Sequence, residues 1–226
     1  MSPAATGAVL LDIDGTLADS NYVHAFTWAR AFQELGHPVD AWRIHRRIGM
    51  GGELLLAELL GDRVEELGDA VKDRHSRYYA EAAATVHRFD QVPELIAAIN
   101  ERGARVVLAS SASPAEMEIL ERVLDVSDAV HAITSAKDVE SAKPDPDLVH
   151  TALDAADVPA ERAVFVGDTV WDVEAAERAG VPAVGVLTGG ISAAELTEAG
   201  AVEVYASVAE ILGQLDATLL RRAWAS

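Results

Sequence analysis

The sequence predicts an α/β fold in which a doubly wound parallel sheet carries an inserted, all-helical segment. After residue 88, short apolar runs typical of strands alternate with amphipathic segments typical of helices. Such alternation indicates a parallel sheet covered by helices on both faces. Between Leu17 and Arg88, apolar residues recur instead every three or four positions, and no strand pattern appears. With 226 residues, half of them apolar, the chain can form one large domain with a small insertion.

The predicted elements follow this division. The apolar run 8–11 is the first strand, and helices are expected near 23–35, 40–48, 53–60 and 62–84, with a glycine-rich hinge at 49–52. Later strands are expected at 104–109, 129–133, 163–166, 183–186 and 202–204, and later helices at 114–124, 145–156, 170–179, 193–199 and from 208 onwards. We therefore expect a sheet domain of residues 1–19 and 88–226 and a helical domain of residues 20–87.

Composition excludes several classes of function. The formal net charge of −19 argues against nucleic acid or an anionic membrane as a partner, since both need clustered Lys and Arg. The absence of cysteine excludes thiolate zinc sites, disulfides and cysteine nucleophiles. No basic segment followed by an apolar run starts the chain, and no apolar run reaches about 18 residues, so we expect neither a signal peptide nor a membrane span. A cytoplasmic location fits these features.

Charge is divided unevenly between the two expected domains. Residues 20–87 hold 8 Lys and Arg against 10 Asp and Glu, whereas the rest of the chain holds 10 against 27. The nearly neutral helical domain carries a basic cluster that includes Arg47, just before the glycine-rich hinge. This cluster is either an ordinary polar helix face or a means of reaching an anionic substrate.

The first strand ends in two carboxylates, within a segment 12–17 that reads DIDGTL. Asp12 and Asp14 are two residues apart, so in an extended backbone they share a side and can face one small volume. Two anions so close raise each other's pKa unless a cation or a proton lies between them. A divalent, oxygen-binding ion such as Mg²⁺ suits that position. From this segment alone, an ordinary Asp-rich turn remains the alternative.

Three later segments place polar residues at the ends of predicted strands. Ser110 can donate to a phosphoryl oxygen or simply cap a helix, a role for which Ser111 competes. Lys143 comes directly before the prolines and acids of SAKPDPD, residues 141–147, where its ammonium can neutralise phosphate charge. Asp168 and Asp172 are four residues apart, so both can face one point, although Asp172 can also serve a helix N-terminus.

Together these segments make the chain resemble the haloacid dehalogenase superfamily, in the phosphatase branch with a helical cap inserted after the first motif. Phosphoglycolate phosphatases and β-phosphoglucomutases belong to that branch. Residues 12–17 match the first motif, Ser110 the second, Lys143 the third, and Gly167-Asp168 with Asp172 the fourth. The resemblance implies a Rossmann-like core domain and a helical cap domain.

The resemblance also implies a role for each matched residue. Asp12 would be the nucleophile that forms an aspartyl phosphate, and Asp14 would protonate the leaving oxygen and later deprotonate water. Mg²⁺ would be held by Asp12, the backbone carbonyl of Asp14 and Asp168, and Asp172 would be either a further ligand or a residue that orients the ligands. The residues expected to bind the substrate or its phosphoryl group are Thr16, Arg47, Ser110, Ser111 and Lys143. The expected enzyme is a Mg²⁺-dependent phosphatase of a small phosphorylated metabolite, acting as a monomer or homodimer.

Two other functions stay open. A β-phosphoglucomutase-like phosphomutase is compatible with Asp19, His24 and Trp28. However, Gly52 stands where a substrate-binding arginine of that enzyme aligns. A non-catalytic module that binds phosphorylated metabolites would have no need of the acid at Asp14. That acid also argues against a dehalogenase, because halide leaves without a proton. Trp28 and Trp42 are expected to pack within the core or the cap.

Overall fold

The computed structural model describes residues 7–139 and 141–225. The ends of the predicted sheet domain, residues 1–6 and 226, and residue 140 lie outside the described part of the chain. Within it, the strands are β1 (Ala8–Leu11), β2 (Ala18–Asp19), β3 (His87–Arg88), β4 (Arg105–Ala109), β5 (Ala132–Thr134), β6 (Ala163–Gly167), β7 (Ala183–Val186) and β8 (Glu203–Tyr205). The helices are α1 (Asn21–Glu34), α2 (Ala41–His45), α3 (Gly52–Leu60), α4 (Val64–Ala82), α5 (Val92–Glu101), α6 (Pro114–Leu124), α7 (Asp147–Ala156), α8 (Val170–Arg178), α9 (Ala193–Glu198) and α10 (Val208–Gly213).

Six strands form one parallel sheet in the order β5-β4-β1-β6-β7-β8. The predicted α/β fold is confirmed. The central strand β1 pairs with both neighbours, so that Leu11 lies opposite Leu108 on one side and Val166 on the other. Because parallel strands end at the same edge, the residues that follow β1, β4 and β6 meet there. The register therefore brings the polar segments after three strands to one place.

The sheet is buried on both faces, as its apolar strands predict. Val9 and Leu11 belong to one apolar cluster, and Ala8 and Leu10 belong to the other, because successive side chains of a strand point to opposite faces. All four side chains are fully buried. The strand that ends at the polar edge is thus held rigidly on both sides.

Helices α1 to α4 pack around an apolar cluster of their own, which includes Trp28, Phe32, Ile44 and Val71. The short antiparallel pair of β2 and β3 lies where the chain leaves the sheet and returns to it, with Asp19 opposite His87. This separate cluster supports the proposal that residues 20–87 form a cap domain. We call residues 20–87 the cap and the rest of the described chain the core.

The structure differs from the sequence-based expectation at several points. Strands β2 and β3 were not predicted, since two residues are too few to show an alternating pattern. Helix α5 was also missed, although Val92, Leu95, Ile96 and Ile99 have helical spacing. Strand β5 starts at Ala132 rather than at residue 129. Trp28 is buried as expected, but Trp42 is 67% exposed, so its predicted packing role is wrong.

No helix in the described ranges combines the length and the apolar character that a membrane span requires.

Candidate active site

The nucleophile candidate Asp12 lies directly beyond β1 and is 6% exposed. Its backbone N–H donates to the carbonyl of Val166 at 2.9 Å, which continues the pairing with β6 by one residue. The strand and its neighbour therefore fix the position from which the Asp12 side chain leaves the backbone.

Lys143 joins two of the predicted carboxylates. Its Nζ lies 2.5 Å from Asp12 Oδ1 and 2.6 Å from Asp172 Oδ1, and its side chain is fully buried. Burial alone would lower the pKa of this amine, but the two carboxylates outweigh burial and raise it. Lys143 is therefore a permanent cation at the edge of the sheet.

Asp172 caps the start of a helix and also contacts Lys143, so it has both of the roles that the sequence suggested. Its Oδ2 accepts hydrogen bonds from the N–H of Thr169 at 3.0 Å and from the Thr169 hydroxyl at 2.6 Å. This reciprocal capping box starts α8 and leaves Oδ1 free to meet the ammonium. Helix α8 thus orients the carboxylate.

Asp168 is held by two neutral donors from the first motif and the start of the cap. Thr16 Oγ1 donates to Asp168 Oδ1 at 3.0 Å, and Asn21 Nδ2 donates to Oδ2 at 2.8 Å. The predicted contact of Thr16 with phosphate stays a prediction, since the hydroxyl here serves Asp168. The Oδ1 atom of Asn21 is buried and has no hydrogen-bond partner in the structure.

These carboxylates form a site that fits a divalent cation. Ligand atoms of Asp12, Asp168 and Asp172 all lie within 4.8 Å of one another, and all three residues are buried. Once all three acids are ionised, the one ammonium of Lys143 leaves two negative charges for a cation to balance. Burial, and then the charge of Asp172, raises the pKa of both Asp12 and Asp168 in the ion-free site. An all-oxygen donor set of this charge suits a hard cation.

Asp14 faces a different set of partners. Its Oδ1 accepts a hydrogen bond from Ser20 Oγ at 2.5 Å and lies 3.3 Å from His24 Nε2. Burial would raise the pKa of Asp14, but the contacts with His24 and Ser20 outweigh it and lower the pKa. The side chain of Asp14 is not part of the carboxylate cluster, so metal binding through its backbone carbonyl stays a prediction.

Asp12 and Asp14 line one cavity of about 80 Å³ under the cap, to which Arg47 and His24 also contribute. A neighbouring cavity of about 360 Å³ is lined by Ser110 and by further residues of both domains. The two cavities share part of their lining: Trp28, Gly51, Gly52, His75, Ser111 and Glu116. The acid pair therefore opens towards a larger space between cap and core.

The remaining predicted binding residues lie around these cavities. Ser110 is fully buried, and its Oγ accepts a hydrogen bond from the N–H of Ala112 at 3.0 Å. The Ser111 hydroxyl donates to the carbonyl of Gly49 in the cap at 3.4 Å. Arg47 Nε lies 3.6 Å from Glu58 and is buried without a hydrogen bond. Their contacts with substrate stay predictions.

Several residues of the site were not identified as such from the sequence. Asn21 holds Asp168, and His75 lies 3.1 Å from His24 and 3.6 Å from Glu116. Gly189 follows β7 and its carbonyl accepts a hydrogen bond from His45 at 2.8 Å. In the sequence, only the spacing of four residues between Val71 and His75 indicates that His75 lies on the buried face of α4. A residue that merely packs in the core would show the same spacing.

Comparison with known proteins agrees with this geometry. The sequence model of the haloacid dehalogenase-like hydrolase family matches residues 6–180. The phosphoglycolate phosphatase of Rhodospirillum rubrum is 30% identical over 220 residues, which cover 91% of this chain and 90% of the relative. A phosphorylated carbohydrates phosphatase of Thermotoga maritima is 29% identical and covers 94% of this chain and 99% of its own.

A solved structure gives the same result for the fold. A hydrolase from Pseudomonas syringae superimposes with a TM-score of 0.89 at 30% identity, covering 93% of this chain and 98% of its own. The match covers cap and core together. The chain belongs to the haloacid dehalogenase-like hydrolase family and is a phosphatase of its phosphoglycolate phosphatase-like branch.

Proposed function

We propose that the chain is a Mg²⁺-dependent phosphomonoesterase that hydrolyses a small phosphorylated metabolite through an aspartyl phosphate on Asp12. One observation carries the proposal. The buried acidic groups of Asp12, Asp168 and Asp172 lie together beside a cavity that Asp12 and Asp14 line, and the ammonium of Lys143 pairs with only two of them, Asp12 and Asp172. A divalent cation and a phosphoryl group together complete such a site.

The cation would be held by Asp12, Asp168 and Asp172, with the backbone carbonyl of Asp14 as the expected further ligand. When bound, Mg²⁺ supplies charge neutralisation for the phosphoryl oxygens and orients them towards Asp12. Thr16 and Asn21 keep Asp168 in place for this role, because each donates to one of its oxygens.

In the first half-reaction, a carboxylate oxygen of Asp12 attacks phosphorus while the bond to the leaving oxygen breaks. Asp14 gives its proton to that oxygen, so the product leaves as an alcohol. Lys143 already lies 2.5 Å from the attacking carboxylate, and it stabilises the negative charge that the transferring group carries.

In the second half-reaction, a water attacks the phosphorus of the aspartyl phosphate, and Asp14 takes the proton of that water. The phosphorus–oxygen bond to Asp12 breaks, which releases phosphate and restores the carboxylate. One difficult displacement is thereby divided into two easier ones. Ser110 and Ser111 are proposed to bind the phosphoryl oxygens, because the large cavity reaches both of them.

The specificity for the substrate's organic group depends on the cavity between cap and core, whereas the phosphate site recognises only the phosphoryl group. The cavity's volume of about 360 Å³ and its lining by Trp28, Lys72 and Ser76 of the cap leave room for an organic group larger than the phosphate. The relatives named above act on different phosphorylated molecules, so we propose the class of small phosphorylated metabolites and no single compound.

The test is phosphate release with and without Mg²⁺ across phosphoglycolate, sugar phosphates and nucleoside monophosphates. We expect Mg²⁺-dependent release from at least one of them, and Asp12→Asn should lower the rate about a thousandfold or more, because an amide is not a nucleophile. Asp90→Asn, an exposed acid of the core, is the matched control and should act like the wild type. No release from any compound contradicts the proposal, whereas isomerisation of a sugar phosphate without net phosphate release would favour the phosphomutase.

A further inference from the structure

The large cavity between cap and core is where the organic part of a substrate has room. It measures about 360 Å³, and it shares Ser111 and Glu116 with the small cavity that Asp12 and Asp14 line. Small-molecule sites commonly have volumes of about 300–1,000 Å³. A phosphoryl group at Asp12 therefore leaves its organic substituent against the walls of the large cavity, and the chemistry of these walls determines which substituents bind.

Hydroxyl groups are the commonest polar groups in this lining. Within the described chain, cap and core together contribute five serines: Ser76, Ser110, Ser111, Ser113 and Ser141. A serine hydroxyl both donates and accepts, so it can pair with a hydroxyl group of a ligand in either direction. Ser110 and Ser111 are proposed for the phosphoryl oxygens, and the other serines are left for the organic group.

The charged groups of the lining do not favour an anionic substituent. Among the described residues, its lysine is Lys72, whose Nζ lies 3.3 Å from Glu53 Oε1 at the exposed side of the cap. Burial in particular lowers the pKa of His75 well below its ordinary value, so this ring is neutral and adds no positive charge. Arg47 lines the small cavity instead, where the phosphoryl group is expected. Glu116 is then a carboxylate of the large cavity that no cation of the described lining balances.

The start of α6 holds Glu116 in the wall of the cavity. Its Oε2 accepts a hydrogen bond from the N–H of Ser113 at 2.7 Å, as part of a capping box. Its Oε1 lies 3.6 Å from His75 Nδ1, a contact that is longer than a hydrogen bond. The side chain is only 12% exposed, so water screens its charge poorly. Oε1 is therefore available to accept a hydrogen bond from a ligand.

We propose that Glu116 is a specificity-determining residue, and that the substrate is a phosphate monoester whose organic group carries hydroxyl groups and no second anionic group. This inference rests on the proposed phosphatase function and narrows its substrate class. A substrate hydroxyl donates to Glu116 Oε1, and a hydrogen bond to an ionised acceptor is about twice as strong as one between neutral groups. A carboxylate or a second phosphate in the same place meets a like charge, which weakens binding.

Glycerol 3-phosphate and 3-phosphoglycerate test the proposal as a matched pair, since they differ only in a terminal CH₂OH or carboxylate group. Sorbitol 6-phosphate and 6-phosphogluconate make the same comparison on a longer chain. In the pair that the wild type hydrolyses faster, we expect kcat/KM to be about tenfold or more higher for the hydroxyl compound, because like charges repel strongly where water is scarce. The difference should lie mainly in KM, since the group that differs is remote from phosphorus.

Glu116→Gln removes the charge with little change in shape. The amide oxygen can still accept from the N–H of Ser113, and the amide N–H₂ then faces the cavity as a donor. We expect kcat/KM to rise about tenfold for the carboxylate compound and to fall about three- to tenfold for the hydroxyl compound. A variant that merely disturbs the fold would lower both values together. Glu118→Gln, exposed on the same helix, should keep the preference of the wild type.

Equal hydrolysis of both members of the pair by the wild type, or a preference for the carboxylate, would overturn the proposal. So would an unchanged preference in Glu116→Gln, or failure to hydrolyse either hydroxyl compound by an enzyme that hydrolyses 4-nitrophenyl phosphate. The proposed function fails by a different result: no Mg²⁺-dependent release from any compound, 4-nitrophenyl phosphate included, or a release that Asp12→Asn leaves intact.

Discussion

At the scale of single residues, the electrostatics of the site depend on Lys143. A buried ammonium is tolerated only when it is paired, and Lys143 has carboxylates at 2.5 and 2.6 Å. The pairing leaves Asp168 as the further acidic group, held only by the neutral donors named above, so the site gains an excess of negative charge as its carboxylates ionise. The protonation of the carboxylates and the binding of a cation are therefore linked.

This linkage predicts that stabilisation by Mg²⁺ grows with pH. Burial, and then Asp172, raises the pKa of Asp12 from 3.8 to about 8, and it also raises that of Asp168. A group whose pKa is raised by folding stabilises the fold at low pH, and this contribution is lost as pH rises through the folded-state pKa. Between about pH 4 and pH 8 the ion-free protein should therefore lose stability, while its ionising carboxylates bind Mg²⁺ more tightly.

The measurement is the thermal midpoint with and without Mg²⁺. We expect the rise in Tm caused by Mg²⁺ to be larger at pH 8.5 than at pH 6, and Asp168→Asn should remove most of it. Asp90→Asn, which lies outside the site, should keep the full rise. A rise of the same size at both pH values would show that the carboxylates are already ionised at pH 6.

At the scale of elements, the loop that follows β7 lies directly against the carboxylate site. Thr188 Oγ1 donates to the carbonyl of Gly15 at 2.5 Å, and the carbonyl of Gly189 accepts from His45 of the cap at 2.8 Å. A Cβ atom added at Gly189 would lie 1.6 Å from Asp168 Oδ2. This loop can pass so close to the site only because glycine occupies that position.

Gly189→Ala should therefore weaken the cation site. The added methyl group must push Asp168 or the loop away, and displacing a group that orients a ligand lowers metal affinity by about 10- to 100-fold. Titration calorimetry with Mg²⁺ measures the loss. Gly213→Ala, whose added Cβ meets nothing within 4 Å, is the control and should bind Mg²⁺ as the wild type does. Unchanged Mg²⁺ affinity in Gly189→Ala would mean that the loop can move aside without displacing Asp168.

The same elements show how far the sequence alone predicts the site. Strand ends could be predicted from short apolar runs, and these place Asp12 and Asp168 at one edge of the sheet. Lys143 lies well beyond the end of β5, so only its match to a family motif pointed to the site. Contacts such as Gly189 with Asp168 depend on the path of a loop that joins neighbouring strands, which no local pattern encodes. Likewise, His75 faces His24 only because α4 packs against α1, and its spacing equally fits a core position.

At the scale of the whole molecule, several side-chain contacts hold the cap to the core. His75 faces Glu116, Ser111 donates to Gly49, and Arg46 pairs with Glu195. Arg46 and the neighbouring Ser192 lower the pKa of Glu195 to about 2, so this carboxylate stays ionised near neutral pH. The Arg46–Glu195 pair is partly exposed, so salt screens it more than it screens the buried contacts between cap and core.

The net negative charge of the chain repels an anionic substrate, whereas the cations of the site attract it. The chain carries a formal net charge of −19, and residues outside 20–87 hold 27 acidic against 10 basic side chains. A phosphomonoester is also an anion, so at low ionic strength it approaches through a repulsive field. Lys143 and Arg47 attract it only at short range, within the cavity. Raising the ionic strength shortens the Debye length from about 30 Å at 0.01 M to about 8 Å at 0.15 M, which removes the long-range repulsion first.

We therefore expect kcat/KM for a phosphomonoester to rise roughly two- to tenfold when sodium chloride increases the ionic strength over that range at constant Mg²⁺. The value of kcat at saturating substrate should change much less, because the buried site is poorly screened. Initial rates with 4-nitrophenyl phosphate at several salt concentrations give both quantities. A fall in kcat/KM with added salt would mean that the cations of the cavity control the approach of substrate, and that the acidic surface of the core is too distant to oppose it.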